Sequence, residues 1–592
     1  MADGAHSSLA SGIRCFEGRF GAGAANGRGG FSVFLTALAL AWFASGAASA
    51  IDIDQGFQIG AADQPQINVC LSRTATGPAL VSPDGTDPIT GLPTNTINFQ
   101  AFLDTGASGI LFAKETATSF SLNTTGAVYS DVGVGGSQNF DVSEPLYVRL
   151  GANNPTNMSN LESPSIYTQQ IGPVQMQVNQ TNVDPLSGAD PLNVVGTPAM
   201  QGKVVVMDSR KLNAVSAQIA AGADPITLLL NQPDDFSIRT YLYNPDKQFN
   251  PLSDSDPGIP AVNLHLKLSS ASFNRFSTVT PTGAMGPTLA NNPFIGPNPV
   301  AALDPHPPVD NTPKIKVSMG AYSAQGSFLL DTGAATSIIS DTIAQQLNIF
   351  HQTAGDPMSP LVFNAPGQGS PLVPDQFQLM VTGVGGTVTR NGFYLDSLLA
   401  HTMEAKTSAD NDPLNLRFLH VPVLVDDISV LDPVANVSLT LDGVLGMNLL
   451  TSTADPTNPL SLVFAPGAFD FATFDQTAGT LGLKLASTFF THGDIDGDGS
   501  ISVADVSALV KGLGDLTKLK SDRALTDADL TLVADMDGNG TVDNLDLQAL
   551  IVALANSGGS GSLSAVPEPA GVVMALVGAT AMLIVARRRG RG

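Results

Sequence analysis

A chain that carries the same acid-in-apolar motif twice, followed each time by the same later markers, is constrained to fold as two related halves. The first copy is FQAFLDTGASGILF, Phe99 to Phe112, around Asp104-Thr105-Gly106; the second is FLLDTGAATSIIS, Phe328 to Ser340, around Asp331-Thr332-Gly333. Apolar residues lead into each Asp and leave soon after it, so each carboxylate is hemmed in by hydrocarbon, where ionisation is costly. The later markers repeat in order. Gly133-Val134-Gly135-Gly136 is answered by Gly383-Val384-Gly385-Gly386, and NVVGTPAM with Gly196 is answered by GVLGMNLL with Gly446. Gly133 to Gly196 and Gly383 to Gly446 both span 63 residues, whereas Asp to Gly-rich turn spans 29 residues in the first half and 52 in the second. One insertion of 23 residues before the second Gly-rich turn therefore relates the halves.

The rest of the central region reads as strands and turns. Short apolar runs such as INFQAFL, GKVVVMD, LHLKL, KIKVSM, FQLMVTG and VSLTLDGVLG are separated by Gly, Pro, Asn and Asp. Charged residues make up only 13% of the 592-residue chain, while Gly (59) and Pro (40) are abundant, which favours strands over long helices. Residues 250–312, rich in Pro, Ser and Asn, read as a partly irregular connection. The net charge of −25 argues against a nucleic-acid partner and for cations, calcium among them. Cys15 lies in a segment expected to be removed, and Cys70 reads as a small core residue, so no internal disulfide is expected.

A single Asp-Thr-Gly after a strand is often only a turn, its carboxylate bonded to backbone two residues on. Two copies, each with a later apolar-apolar-Gly at Val194-Val195-Gly196 and Val444-Leu445-Gly446, resemble the aspartic peptidases. The resemblance covers roughly residues 61–486; DGVLGMNLL looks like the pepsin-type form, and Ala107 and Ala334 after the glycines look like the retroviral-type form. It implies that Asp104 and Asp331 form a catalytic dyad, with Thr105 and Thr332 locking the two turns across the lobe interface and Gly106 and Gly333 allowing close approach. Two carboxyls that close share a proton, and one can activate a water while the other polarises the scissile carbonyl. No cofactor is expected in the cleft. The resemblance also implies a hairpin flap. Tyr129, just before the first Gly-rich turn, is a candidate flap residue, an ordinary strand residue being the alternative; no Tyr lies close to Gly383.

Two acidic loops follow. DIDGDGSISVAD has Asp494, Asp496, Asp498, Ser500 and Asp505 at positions 1, 3, 5, 7 and 12; DMDGNGTVDNLD has Asp535, Asp537, Asn539, Thr541 and Asp546. Such spacing wraps oxygens around one calcium, with a position-7 carbonyl as a ligand and glycine at position 6 for the turn. Amphipathic runs follow each loop, through Val503, Val506, Leu509, Val510 and Leu513, and through Leu547, Leu550, Ile551 and Leu554. Asp rather than Glu closes both loops, which resembles a type I dockerin more than a regulatory EF-hand. The resemblance implies two structural calcium ions and a cohesin-like partner.

The ends read as addresses. Arg14, Arg19 and Arg28 precede the apolar run FSVFLTALALAWF, and Ala48-Ser49-Ala50 closes a signal-peptide pattern. Val566-Pro567-Glu568-Pro569, the apolar stretch 570–586 and Arg587, Arg588, Arg589 and Arg591 resemble a PEP-CTERM sorting signal, which implies an exosortase-type processing peptidase. A plain membrane anchor is the alternative, since the stretch is at the lower limit of about 17–25 residues for a span.

The expected fold is mainly β: a two-lobed aspartic-peptidase-like pair of β-barrels, a small α-helical, EF-hand-like dockerin domain and one C-terminal transmembrane helix. The expected boundaries are signal peptide 1–50, first lobe 51–258, second lobe 259–487, dockerin-like domain 488–556, Gly/Ser linker 557–565 and sorting signal 566–592. The expected function is an exported aspartic endopeptidase, membrane-anchored or at the cell surface, acting on polypeptides. The alternative is a non-catalytic surface scaffold held in an extracellular assembly by its dockerin-like module.

Overall fold

The structure is a computed structural model that describes residues 50–556, apart from 55–57, 87–92, 155–162, 182–191, 251, 272–291, 301–309, 366–368, 433–436, 456–463 and 498. The signal-peptide run, the linker, the sorting signal and Asp498 therefore lie outside the described residues.

The first half supplies β1 (Ile51–Asp54), β2 (Gln66–Ser72), β3 (Asn98–Leu103), β4 (Ile110–Phe112), β5 (Thr124–Gly133), β6 (Gly136–Ser143), β7 (Leu146–Gly151), β8 (Gln169–Val174), β9 (Gln177–Asn179) and β10 (Val194–Val195). Nine of these form one sheet in the order β8-β7-β2-β3-β10-β4-β9-β6-β5. In β7, Leu146, Val148 and Leu150 are buried and alternate with half-buried Tyr147 and Arg149, the period of two expected where one face meets a core. Helix α1 (Lys114–Ser119) follows β4.

The chain continues through β11 (Val204–Asp208), helix α2 (Arg210–Ala220), β12 (Arg239–Tyr243), β13 (Leu264–Ala271), β14 (Asn292–Ile295), β15 (Ile315–Met319), β16 (Tyr322–Gly326), β17 (Phe328–Leu330) and β18 (Ser337–Ile339). Helix α3 (Asp341–Gln346), β19 (Phe377–Gly383), β20 (Gly386–Ala400), β21 (Leu416–Val425), β22 (Gly443–Leu445), β23 (Phe469–Asp475) and β24 (Thr480–Leu485) complete the β region. A fifteen-stranded sheet runs β12-β11-β23-β24-β13-β14-β17-β22-β18-β21-β20-β15-β16, with β1 added on β21 and β19 on β20. Strand β11, all five residues buried, is sandwiched between β12 and β23, and its unbroken apolar run fits that place.

The two halves repeat one local arrangement. β3 is parallel to β10, and β10 is antiparallel to β4; likewise β17 is parallel to β22, and β22 is antiparallel to β18. Val195 pairs with Leu103, and Leu445 pairs with Leu330, so each apolar-apolar-Gly strand lies against the strand leading to its Asp. The glycines that end β10 and β22 are required by space. A Cβ on Gly196 would stand 2.2 Å from the Ala107 carbonyl oxygen, and one on Gly446 would stand 2.8 Å from that of Ala334.

Four helices close the described chain: α4 (Val503–Leu513), α5 (Leu516–Arg523), α6 (Asp527–Ala534) and α7 (Asn544–Asn556). They pack around Leu509, Leu530, Val533, Leu550 and Leu554.

The expected fold is corrected. The β regions are not a pair of closed barrels. Both sheets are open paths with free ends, β8 and β5 in one, β12 and β16 in the other. Closure needs the outer strands of one sheet to meet. Here β11, which comes from the first stretch of chain and carries β12 on its outer side, pairs instead with β23 of the second, and β5 runs out as one arm of a projecting hairpin. The expected transmembrane helix, at 570–586, lies outside the described residues; among the described residues, no helix is long and apolar enough to cross a membrane. The 13 residues of α7 make a rod of about 20 Å, short of the roughly 30 Å hydrocarbon core.

Substituting Gly196 or Gly446 by alanine should destabilise the fold by about 1–3 kcal/mol or more, since the obstructing atoms are backbone. Urea unfolding of each variant beside Gly202→Ala, where a Cβ meets nothing within 4 Å but φ is +68°, separates overpacking from backbone strain.

Candidate active site and metal loops

Each Asp-Thr-Gly leaves its strand on a backbone bond to the neighbouring strand: Asp104 N donates to Val195 O at 3.1 Å and Asp331 N to Leu445 O at 3.0 Å. The two turns then meet. Thr105 Oγ1 donates to Leu330 O at 2.6 Å and accepts from Thr332 N at 3.1 Å. Thr332 Oγ1 donates to Leu103 O at 2.6 Å and accepts from Thr105 N at 3.1 Å. Both threonines are 2% exposed, so these four bonds are made without competing water.

The interlock brings the carboxyls of Asp104 and Asp331 into hydrogen bonding with each other. A Cβ on Gly106 would lie 2.5 Å from Asp331 Cγ, and one on Gly333 would lie 2.6 Å from Asp104 Cγ; only glycine leaves room for the opposing acid. Asp104 Oδ1 accepts from Gly106 N at 2.7 Å and Ala107 N at 3.2 Å, and Asp331 Oδ1 accepts from Gly333 N at 2.8 Å. Both aspartates are half-buried, so one side of the pair stays open.

The two acids are not equivalent electrostatically. Burial raises Asp104 above the usual carboxylate range, while the bond from Asp331 and backbone amides pull it back part of the way. Burial raises Asp331 too, and there the charge of Asp104 and the bond to it add to the rise, so Asp331 stands well above that range. Two carboxyls this close cannot both ionise at modest cost, so the pair shares a proton.

Two amide side chains support the turns, and sequence reading missed them. Asn292 Nδ2 donates to Gly106 O at 2.6 Å, and Gln64 Nε2 donates to Gly333 O. Each reaches across to the other half. Extending the β2–β3 and β14–β17 registers puts Gln64 opposite Asp104 and Asn292 opposite Asp331, so the two are equivalent in the duplication. A signal was present: Gln64-Pro65 and Asn292-Pro293 are both amide-Pro dipeptides at a strand start. Proline biases the residue before it to extended backbone.

The Gly-rich turns also meet. They are the tips of the β5–β6 and β19–β20 hairpins. Gly135 N donates to Val384 O at 2.9 Å, and Gly385 N donates to Gln138 Oε1 at 3.0 Å. A Cβ on Gly135 would lie 2.4 Å from the carbonyl carbon of Gly385. Val384 packs in the same apolar cluster as Ala107, three residues past Asp104. Tyr129 lies on β5 across from Phe140 and is half-buried.

In the helical module each loop gathers three acids. Oxygens of Asp494, Asp496 and Asp505 lie within 4.8 Å of one another, as do those of Asp535, Asp537 and Asp546. Asp494 accepts from Gly497 N and Gly499 N, and Asp535 accepts from Asn539 N and Gly540 N. Asp505 and Asp546 are fully buried and accept from backbone amides on both oxygens. Gly499 (φ +82°) and Gly540 (φ +85°) take the left-handed turn that the sixth loop position needs. Ser500, Asn539 and Thr541 lie on the exposed rim, where Asn539 Oδ1 accepts from Thr541 N at 2.8 Å. All-oxygen donors converging on one point, with buried carboxylates whose charge a cation would balance, fit calcium. Arg523 was not anticipated. Its guanidinium donates to the carbonyls of Asp494 and Ile495 and braces the first loop.

Residues 492–555 match the Dockerin type I domain family. Modules of that family bind calcium, so the two acid clusters are where it would sit. No curated protein matches the chain. Among solved structures, the chain is similar to the aspartic proteinase from Irpex lacteus, at 12% identity over 71% of this chain and 98% of that one, with a TM-score of 0.30. A likeness at that score carries no argument about fold or chemistry.

Thr105→Val and Thr332→Val each remove a hydroxyl that both donates and accepts in a buried site. Each should cost about 2–4 kcal/mol in urea unfolding, and Thr→Ser should recover most of it. A loss under about 0.5 kcal/mol in either valine variant would mean that the interlock does not hold the halves together.

Proposed function

We propose that this chain is an exported aspartic endopeptidase in which Asp104 and Asp331 act as the catalytic dyad on a polypeptide substrate. The observation that carries the reading is the hydrogen-bonded carboxyl pair, half-open to solvent. The asymmetry of the pair supports assigned roles. Asp104, the more readily ionised, takes a proton from the water that attacks the peptide carbonyl. Asp331 keeps its proton and gives it to the carbonyl oxygen as the tetrahedral carbon forms. When the C–N bond breaks, a proton returns through the dyad to the departing amine. Thr105, Thr332, Gly106 and Gly333 position the pair, and the two hairpins would have to part to admit substrate.

The helical module supports an extracellular or cell-surface setting and a cohesin-like partner. Its two loops are inferred to hold one calcium ion each through Asp494, Asp496, Asp498, the Ser500 carbonyl and Asp505, and through Asp535, Asp537, Asn539, the Thr541 carbonyl and Asp546. The string Val566-Pro567-Glu568-Pro569 supports processing by an exosortase-type peptidase.

Asp104→Asn and Asp331→Asn should each lower kcat/KM on a denatured protein substrate by about 10²–10⁴-fold, and pepstatin should block the wild type. The rate should fall on the acid side as Asp104 protonates and on the alkaline side as Asp331 ionises. Stability carries its own sign. The raised folded pKa of Asp331 means that its contribution is full below 3.8 and is lost as pH rises toward the folded value. Asp331→Asn should therefore melt higher than wild type at pH 7, with the gap closing below pH 4. Full activity in either variant, or an inert wild type at every pH, would leave the scaffold reading instead.

Titrating calcium into the full chain should show two binding events, one removed by Asp505→Ala and the other by Asp546→Ala. A chain that takes up no calcium in calorimetry would overturn the metal assignment.

A further inference from the structure

The helical module is seated on the β unit through a built polar contact. Asp529 sits in the first turn of α6 and is 3% exposed. Its Oδ1 accepts from Lys484 Nζ at 2.5 Å. Its Oδ2 accepts from Asn263 Nδ2 at 2.8 Å, from Thr526 N at 3.0 Å and from Thr526 Oγ1 at 2.6 Å. Burial alone would raise this acid, but the bonds from Lys484, Thr526 and Asn263 hold it below the usual range.

Asn263, 6% exposed, works in both directions. Toward the module, its amide also donates to Ala524 O at 2.6 Å. Toward the β unit, its Oδ1 accepts from Leu485 N at 2.8 Å and its N donates to Leu483 O at 2.9 Å. Apolar contact continues the joint. Ala524, at the left-handed end of α5, belongs to the main β core, and Phe490 packs against both that core and the module's own. The Lys484 ammonium lies 5.6 Å above the Phe490 ring. An exposed pair, Lys406 with Asp522, sits at the rim, where screening makes it worth little.

The joint connects to the loops at one end and to the dyad's sheet at the other. Helix α6 runs directly into Asp535, the first acid of the second loop, and Val533 O near its end accepts from Gly493 N, one residue before Asp494. Both loops therefore anchor the C-terminal end of the helix whose first turn carries Asp529. Lys484 lies on β24, and the sheet runs from there through β13 and β14 to β17, which leads into Asp331.

We propose that the dockerin-like module is an integral brace of the β unit, fixed by Asp529 against Asn263 and Lys484, so that calcium binding in its loops stabilises strands β13 and β24 outside the module. A module joined only by a linker would share none of its binding free energy with the β unit; a seated one must share it, since calcium favours the state in which α6 is ordered. The inference does not depend on the dyad being active.

Hydrogen exchange on the full chain, with calcium and with chelator, tests it. Calcium should slow exchange at least fivefold in residues 264–271 and 480–485 as well as in 492–555, and should raise the melting temperature of the β unit by several degrees. Lys484→Met and Asn263→Ala should confine the protection to the module while calorimetry still finds calcium bound. Lys484→Met leaves the α6 cap intact, so it reads the joint rather than the helix. Protection confined to 492–555 in the wild type overturns the proposal. Spread protection that survives both variants overturns the assignment to these residues.

Discussion

Two hydroxyls hold the centre of this molecule. Thr105 and Thr332 each donate to the carbonyl just before the opposite aspartate and accept from the opposite threonine's amide, over a separation of 227 residues. The arrangement is reciprocal, so neither turn can move without breaking bonds on both sides. It also sets the remaining residue types. With the turns that close, the opposing carboxylate occupies the volume that a side chain at position 106 or 333 would need. With the carboxyls that close, both cannot carry charge at modest cost, and proton sharing follows from geometry. Apolar strands on the buried side keep away part of the water that would otherwise solvate a second charge.

The symmetry imposed there persists outward and then fails at the hairpins. Gln64 and Asn292 stand at equivalent positions and reach equivalent carbonyls across the interface. The tips meet through backbone of matching sequence, yet only one side adds a side chain. Gln138 accepts from Gly385 N, whereas the equivalent position in the second hairpin, five residues past Gly383, is Val388 and offers no polar group. The halves therefore hold a symmetric pair of acids beneath an unequal contact between the tips. A core that must fit one geometry keeps its repeat; the tips, which meet through few bonds, do not have to.

What could be read from sequence followed the range of the interaction. Asp104, Thr105, Gly106 and their second copies were legible because the turn chemistry is local and the duplication made it visible twice. The convergence of the acidic loops was legible because their acids and glycines are bonded within one dozen residues. The Gln64 and Asn292 contacts join points 269 and 186 residues apart, and nothing in a single copy marks them beyond an amide before a proline. The barrel expectation failed for a related reason. GKVVVMD reads as a strand in isolation, but its partner is chosen by tertiary packing, and β11 pairs with β23 from the far end of the β region. Strand existence is a property of a segment, whereas closure is a property of the whole path.

The joint between module and β unit lies furthest from sequence legibility, and its logic is energetic. A buried carboxylate with one lysine would be costly to keep, because desolvation offsets the attraction. Asp529 is held by four donors, two from its own helix cap and two from the β unit, so removing either side leaves a buried acid partly unsatisfied. That makes the contact discriminating: the module fits where Asn263 and Lys484 stand together and is penalised where they do not. Asn263 is satisfied in turn by Leu485 N, so the strand edge itself orients the amide that receives the helix. A contact of this kind transmits order in both directions. The sheet that leads to Asp331 presents the seat for α6, and the loops at the end of α6 hold that sheet through β24 and β13.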